Sequence, residues 1–125
     1  MRKIKLESIP FPISEICLGC AHLGWREDDE TSSRLLDIYY DRGGRFLNTA
    51  HEYGQGKSEA FIGRWMHSRN IPRDEMIITS KCGEDCSSPR YFACSYDELL
   101  EDINETLMRT GFDYVDFYLL HIDDL

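Results

Sequence analysis

Met76-Ile77-Ile78-Thr79-Ser80 decides the reading of the fold, and Lys81 follows it at once. The run is short and apolar and turns polar at its C-terminal end. Ile71-Pro72 breaks the chain before it, and a long polar loop from Lys81 to Cys94 follows. Such a run reads as a strand buried on both faces. Helical patterns flank it. Before it, Phe61, Ile62, Trp65 and Met66 recur at helical spacing behind a polar loop, Thr49 to Lys57. After it, Ser95-Tyr96-Asp97-Glu98 forms a capping box, in which the Ser oxygen accepts a backbone N–H and the Glu reaches back. Leu99, Leu100, Ile103, Leu107 and Met108 then make one apolar face, and Gly111 stops the helix.

The same alternation extends outward. Tyr114 to Leu120 reads as the fourth core strand and Arg45-Phe46-Leu47-Asn48 as the second. Between the second and first strands a helix is expected to begin at Thr31 or Ser32. Its apolar face would be Leu35, Leu36, Ile38 and Tyr39, and Gly43-Gly44 would end it. Glu15 to Gly19 reads as the first core strand, and Arg26-Glu27-Asp28-Asp29-Glu30 as a solvated loop. Lys3-Ile4-Lys5-Leu6, followed by Pro10 and Pro12, predicts a short N-terminal edge strand or hairpin. The core order is β-α-β-α-β-α-β. Strict alternation implies an α/β fold with a parallel sheet and right-handed crossovers, either doubly wound or part of a (β/α)8 barrel.

Composition narrows the function classes. The 125 residues carry 14 Lys+Arg against 23 Asp+Glu, a net charge of −9, with 42% hydrophobic and 30% charged residues. These values fit one globular domain rather than a disordered chain. The acidic balance argues against nucleic acid as a partner, and no stretch reaches the ~20 apolar residues of a membrane span. Met1-Arg2-Lys3-Ile4-Lys5 has no apolar run behind it, so no secretory signal is visible. A cytoplasmic location with the five cysteines as free thiols is therefore expected. Cys17-x-x-Cys20 and Cys82-x-x-x-Cys86 invite a metal reading. Cys17 and Cys20 lie three apart on a strand, on opposite faces, so no metal site is expected there. Gly56-Lys57-Ser58 looks like the tail of a phosphate-binding loop, but that motif needs Gly where the chain has His51.

Chemistry gathers at the C-terminal ends of the strands, the edge where parallel α/β proteins build their sites. Asn48 ends the second strand and Tyr53 lies on the loop beyond it. Lys81 follows the third strand and His121 the fourth. A free phenol titrates near 10 and is a weak acid at neutral pH. A neighbouring ammonium favours the phenolate and makes a tyrosine a better general acid toward a carbonyl oxygen. A neutral histidine can orient that carbonyl by hydrogen bonding.

Three separated segments resemble one family. Phe46-Leu47-Asn48-Thr49-Ala50-His51-Glu52-Tyr53-Gly54, followed by Lys57-Ser58-Glu59, looks like the second-strand signature of the aldo-keto reductases. Ile77-Ile78-Thr79-Ser80-Lys81 resembles their third-strand end with its catalytic lysine. Asp113 to His121 resembles their fourth strand with its catalytic histidine. Ile13 to Gly24 is similar to the first strand and its turn. The resemblance implies a TIM barrel that reduces a small aldehyde or ketone with NADPH or NADH. It casts Tyr53 as proton donor, Lys81 as its tuner and His121 as substrate orienter, with Gly19, Cys20 and Ala21 lining the nicotinamide side. Residues 1–125 would be the first half of the (β/α)8 barrel, truncated after the fourth barrel strand.

Two departures accompany it. The family usually has Asp where this chain has Asn48, which keeps a carbonyl acceptor but carries no charge. A full barrel takes about 250 residues, and the family's later strands and loops hold most of the cofactor. Weak reductase activity and weak cofactor binding are therefore expected of this chain alone. The alternative is a non-catalytic half-barrel acting through self-association or pairing with a partner across its exposed sheet edges.

Overall fold

Two short strands open the chain as an antiparallel hairpin. β1 (Lys3–Ile4) pairs with β2 (Ile13–Ser14), with Lys3 opposite Ser14 and Ile4 opposite Ile13. The computed structural model describes residues 1–5, 7, 9, 11–84 and 94–122. Leu6, Pro10, Cys86 and most of the expected loop before Ser95 lie outside the described residues. Four strands then form one parallel sheet in the order β3 (Leu18–Gly19), β4 (Phe46–Asn48), β5 (Ile77–Cys82) and β6 (Phe117–Leu120). The crossovers are α1 (Asp29–Asp41), α2 (Lys57–Ser68) and α3 (Tyr96–Thr110). The β-α-β-α-β-α-β order expected of the core is thus the order found. No helix among the described residues is long and apolar enough to cross a membrane.

The period of two sets the two faces of the sheet. Leu47 and Ile78 pack beneath the helices with Leu36, Tyr39, Phe61, Ile62, Trp65 and Met66 in one buried cluster. The opposite face carries Phe46, Ile77 and Phe117, which pack with Ile9, Phe11 and Ile13 of the hairpin segment. The hairpin therefore plugs the end of the sheet where the strands begin. The other end, where Asn48 and Lys81 lie, stays clear of it.

The helices follow their caps. α1 starts before Thr31, because the Asp28 carboxylate accepts the Thr31 N–H at 2.7 Å and Asp29 and Glu30 fill its first turn. Acidic groups there complement the helix dipole, so part of the expected acidic loop is helix. Only Ser32, Leu36 and Tyr39 of α1 are buried, while Leu35 and Ile38 are 46% and 47% exposed. α2 buries the expected Phe61, Ile62, Trp65 and Met66. Its Gly63 lies so close to α3 that a Cβ would sit 2.0 Å from the Thr110 carbonyl oxygen. α3 carries the expected capping box at Ser95 and Glu98 and ends at Gly111, whose φ of +70° is left-handed. Its apolar face is only partly covered: Thr106 and Thr110 are buried, and Leu100 and Met108 are exposed.

The edge strands are shorter than the sequence pattern. Only Leu18 and Gly19 of the first segment pair, opposite Leu47 and Asn48. β6 begins at Phe117 rather than Tyr114. Upstream, Arg73 holds the Tyr114 carbonyl and the Asp116 carboxylate, which also accepts the Ile78 N–H at 2.8 Å. Asp116 N–H also donates to Ile78 O at 2.9 Å, so side-chain ties run beside the backbone pairing there.

Candidate active site

Backbone bonds beyond the strand ends fix the site's frame. Cys20 N–H donates to Asn48 O at 2.8 Å, Thr49 N–H to Thr79 O at 2.8 Å, His51 N–H to Lys81 O at 2.9 Å and His121 N–H to Cys82 O at 2.8 Å. Parallel pairing thus carries on into the loops that bear Tyr53 and His121. The start of α2 is tied to the same edge. Ser58 Oγ donates to the Cys20 carbonyl at 2.7 Å and lies 3.0 Å from Thr49 Oγ1. The Ser58 hydroxyl is buried and spent in these contacts, which leaves Gly56-Lys57-Ser58 no free hydroxyl for a phosphate.

Lys81 is the centre of the cluster. Its ammonium has three protons, and all three find oxygen: Asn48 Oδ1 at 2.7 Å, Thr49 O at 2.8 Å and the Tyr53 hydroxyl at 3.0 Å. The Tyr53 oxygen accepts from the lysine, so its own proton is free to be given elsewhere. The Tyr53 ring meets His121 edge-on, with ring centroids 5.4 Å apart at 79°. Asn48, Tyr53, Lys81 and His121 are half-buried and come together at the open end of the sheet.

His121 is flanked by charge. Burial holds its pKa below the ordinary histidine value and the Lys81 ammonium pushes the same way, while Glu84 opposes both. Glu84 Oε2 lies 2.5 Å from His121 Nδ1. The sequence reading missed Glu84; its one signal is its place three residues past Lys81 on the same loop. It also missed a buried tie in the first turn of α2. Glu59 is fully buried, accepts from Ser80 Oγ at 2.6 Å and lies 3.5 Å from Arg109 Nη1. Arg109 also donates to the His51 carbonyl at 3.3 Å, which links α3 to the Tyr53 loop.

The three residues read as lining the nicotinamide side diverge. Gly19 is exposed, sits opposite Asn48, and a Cβ there would meet nothing within 4 Å. The Cys20 side chain belongs to the core beneath the helices, and burial pushes its thiol up to about 12. Ala21 offers its carbonyl to Trp25 Nε1 at 2.6 Å. Cys17 is exposed and Cys20 buried, so the two thiols occupy different surroundings.

The model of the aldo/keto reductase family matches residues 15–125. The chain is 34% identical over 124 residues to an uncharacterized oxidoreductase of Bacillus subtilis, covering 97% of this chain and 39% of that protein. It is 30% identical over 130 residues to an NADP(+) aryl-alcohol dehydrogenase of Phanerodontia chrysosporium, covering 90% of this chain and 34% of that one. A solved aldo-keto reductase from Bacillus halodurans, in its holo form, superposes with a TM-score of 0.78 at 29% identity, over 95% of this chain and 40% of that chain. The solved neighbours are aldo-keto reductase TIM barrels, and the four-stranded parallel sheet matches part of such a barrel. The chain spans about two fifths of the relatives' length or less.

Proposed function

Because the chain belongs to the aldo/keto reductase family of oxidoreductases, we propose that it carries the proton-handling wall of a site that reduces an aldehyde or ketone to its alcohol. The observation behind this reading is the Lys81 ammonium, 3.0 Å from the Tyr53 oxygen with its other protons fixed on Asn48 and Thr49. An ammonium so held favours negative charge on the phenol oxygen and helps Tyr53 release its proton to a carbonyl oxygen. General acid catalysis of this kind is worth roughly 10²–10⁴ in rate. NADPH or NADH, when bound, supplies the hydride. Gly19 and the backbone at Ala21 would border its nicotinamide ring, and His121 would orient the substrate oxygen.

Asn48 weakens the device. It offers Lys81 an oxygen without a charge, so turnover is below that of a site with a carboxylate. The resemblance places most cofactor-holding groups in later strands of the barrel, so this chain alone binds NADPH weakly. We place the activity in the cytoplasm, where the four free cysteines among the described residues would stay reduced. The test joins residues 1–125 to the remaining strands of the Bacillus halodurans relative and follows NADPH oxidation with small aldehydes. Turnover lost on Tyr53→Phe supports the reading; turnover that survives it opposes the reading.

A second reading has its own observation. α3 and β6 border an open apolar groove of about 570 Å³, lined by Leu99, Leu100, Ile103, Leu107, Leu119 and Leu120 among others. A complementary half-barrel that adds parallel strands beside β6 has the shape and chemistry to cover it, in line with the 40% coverage of the solved relative. Light scattering on the chain with and without the separately expressed remainder of that relative tests this. A stable one-to-one complex supports it; a chain that stays alone or forms a discrete dimer opposes it.

A further inference from the structure

We infer that Arg109 is a positioning residue for Tyr53: its guanidinium grips both ends of the turn from His51 to Gly56 and so holds the phenol at the lysine. The inference rests on the proton-donor role proposed for Tyr53. The turn needs an outside hold. Gly54, Gln55 and Gly56 all have positive φ, at +63°, +56° and +81°. Gln55 carries a Cβ, and such a residue stays left-handed where its surroundings impose it. β5 holds the first residue of the turn, since His51 N–H donates to the Lys81 carbonyl at 2.9 Å. Arg109, near the C-terminal end of α3, reaches both ends. Its Nη1 lies 3.3 Å from the His51 carbonyl oxygen and 3.3 Å from His51 Nδ1. At the other end, a Cβ on Gly56 would sit 2.5 Å from Arg109 Cδ, Nε and Cζ, so the side chain packs directly on the Gly56 backbone. Tyr53 lies between these two points.

Carboxylates fix the arginine in turn. Glu59 is fully buried, and its Oε2, which has no hydrogen bond among the described residues, lies 3.5 Å from Arg109 Nη1. A buried carboxylate left without a cation is costly, so Glu59 draws the guanidinium in against the turn. Glu105, one helical turn earlier on α3, accepts from Nη2. The planar guanidinium has five N–H donors, which lets one side chain serve Glu59, Glu105 and His51 together. A lysine would carry the charge without that fork. The contacts close a ring. Ser80 donates to Glu59, Glu59 faces Arg109, Arg109 meets His51, and His51 returns to Lys81, the neighbour of Ser80. Tyr53 and Lys81 are thereby held in register. Misplacing a reacting group by about 1 Å can cost roughly 10²-fold in rate.

The experiment records ring-to-ring NOEs in the 125-residue chain. The Tyr53–His121 pair, with centroids 5.4 Å apart, reports the position of Tyr53. The Phe46–Phe117 pair, 6.2 Å apart on the other face of the sheet, reports the fold. The variants are Arg109→Lys and the double variant Arg109→Met with Glu59→Gln, which strands no buried charge. The double variant should keep the Phe46–Phe117 NOE and lose at least half of the Tyr53–His121 intensity, and Arg109→Lys should restore part of it. An undiminished Tyr53–His121 NOE in the double variant overturns the inference. So does joint loss of both NOEs, which would make Arg109 a support of the whole fold. In the joined barrel Arg109→Lys should lower kcat roughly 10–100-fold with the aldehyde KM near that of the parent, and an unchanged kcat overturns the inference. A joined barrel without turnover would sink the proposed function, and the NOEs would still decide the role of Arg109.

Discussion

Replacing Asn48 by Asp puts a full negative charge on the atom that now accepts from Lys81 at 2.7 Å. Lys81 is already an ionised donor, so the change is the Coulomb attraction that a carboxylate acceptor adds, about 1 kcal/mol in water and about 4 kcal/mol near a protein surface at such separations. The substitution should therefore strengthen the Lys81 contact by about 1–4 kcal/mol. The carboxylate would be half-buried, as Asn48 is, so its desolvation offsets only part of that gain. Urea unfolding of the parent, Asn48→Asp, Lys81→Met and the double variant isolates the pairwise part. Near pH 7 we expect a coupling of about 1–4 kcal/mol between the two positions. An introduced carboxylate paired with an ammonium has a depressed folded pKa, so its stabilisation is present above the unfolded value of about 4 and lost as pH falls through the folded one. A coupling within about 0.5 kcal/mol of zero near pH 7 would refute the reasoning. In the joined barrel the same substitution should raise kcat, and an unchanged kcat would count against the role given to Asn48.

Other outcomes follow from single contacts. Gly63→Ala should lower the unfolding free energy by about 1–3 kcal/mol and the urea midpoint with it, because the new methyl would collide with the Thr110 carbonyl; an unchanged midpoint would mean that α2 and α3 do not approach so closely. Cys20, fully buried with its thiol pushed up to about 12, should resist alkylation near pH 8 until the chain is unfolded in urea, and rapid native labelling by mass spectrometry would contradict its placement. His121, its pKa lowered by burial, should contribute stability that is complete above its unfolded value of about 6.5 and lost as pH falls through the folded one. Unfolding free energies of the parent should then fall more steeply below about pH 6.5 than those of His121→Gln, and parallel pH curves would oppose this.

Much of the architecture was legible because burial on both faces leaves a strong signal. Ile77 and Ile78 point to opposite sides of β5 and both find apolar surroundings, so the strand reads as a continuous apolar run. Phe61, Ile62, Trp65 and Met66 of α2 were equally plain. The errors arose where tertiary contacts decide. Asp28 looks like one acid among several, and only its bond to the Thr31 N–H makes it a cap. Leu35 and Ile38 fit the helical period as well as Leu36 and Tyr39, yet nothing among the described residues covers them. Strand-end placement put Asn48, Tyr53, Lys81 and His121 on one edge before any contact was known. Glu59 stood in the quoted Lys57-Ser58-Glu59 stretch and Glu84 three residues past Lys81, but their partners Ser80, Arg109 and His121 lie far along the chain, so what either residue touches was not legible.

Tyr53 is the residue on which the account turns, through its hydroxyl 3.0 Å from Lys81 Nζ. The most direct measurement is kcat for aldehyde reduction by the joined barrel, with Tyr53 intact and as Tyr53→Phe, at matched NADPH occupancy. The account predicts a loss of roughly 10²–10⁴ in kcat, because the phenol proton is the one delivered to the carbonyl oxygen. A Tyr53→Phe barrel that binds NADPH and reduces the aldehyde as fast as the parent would contradict it.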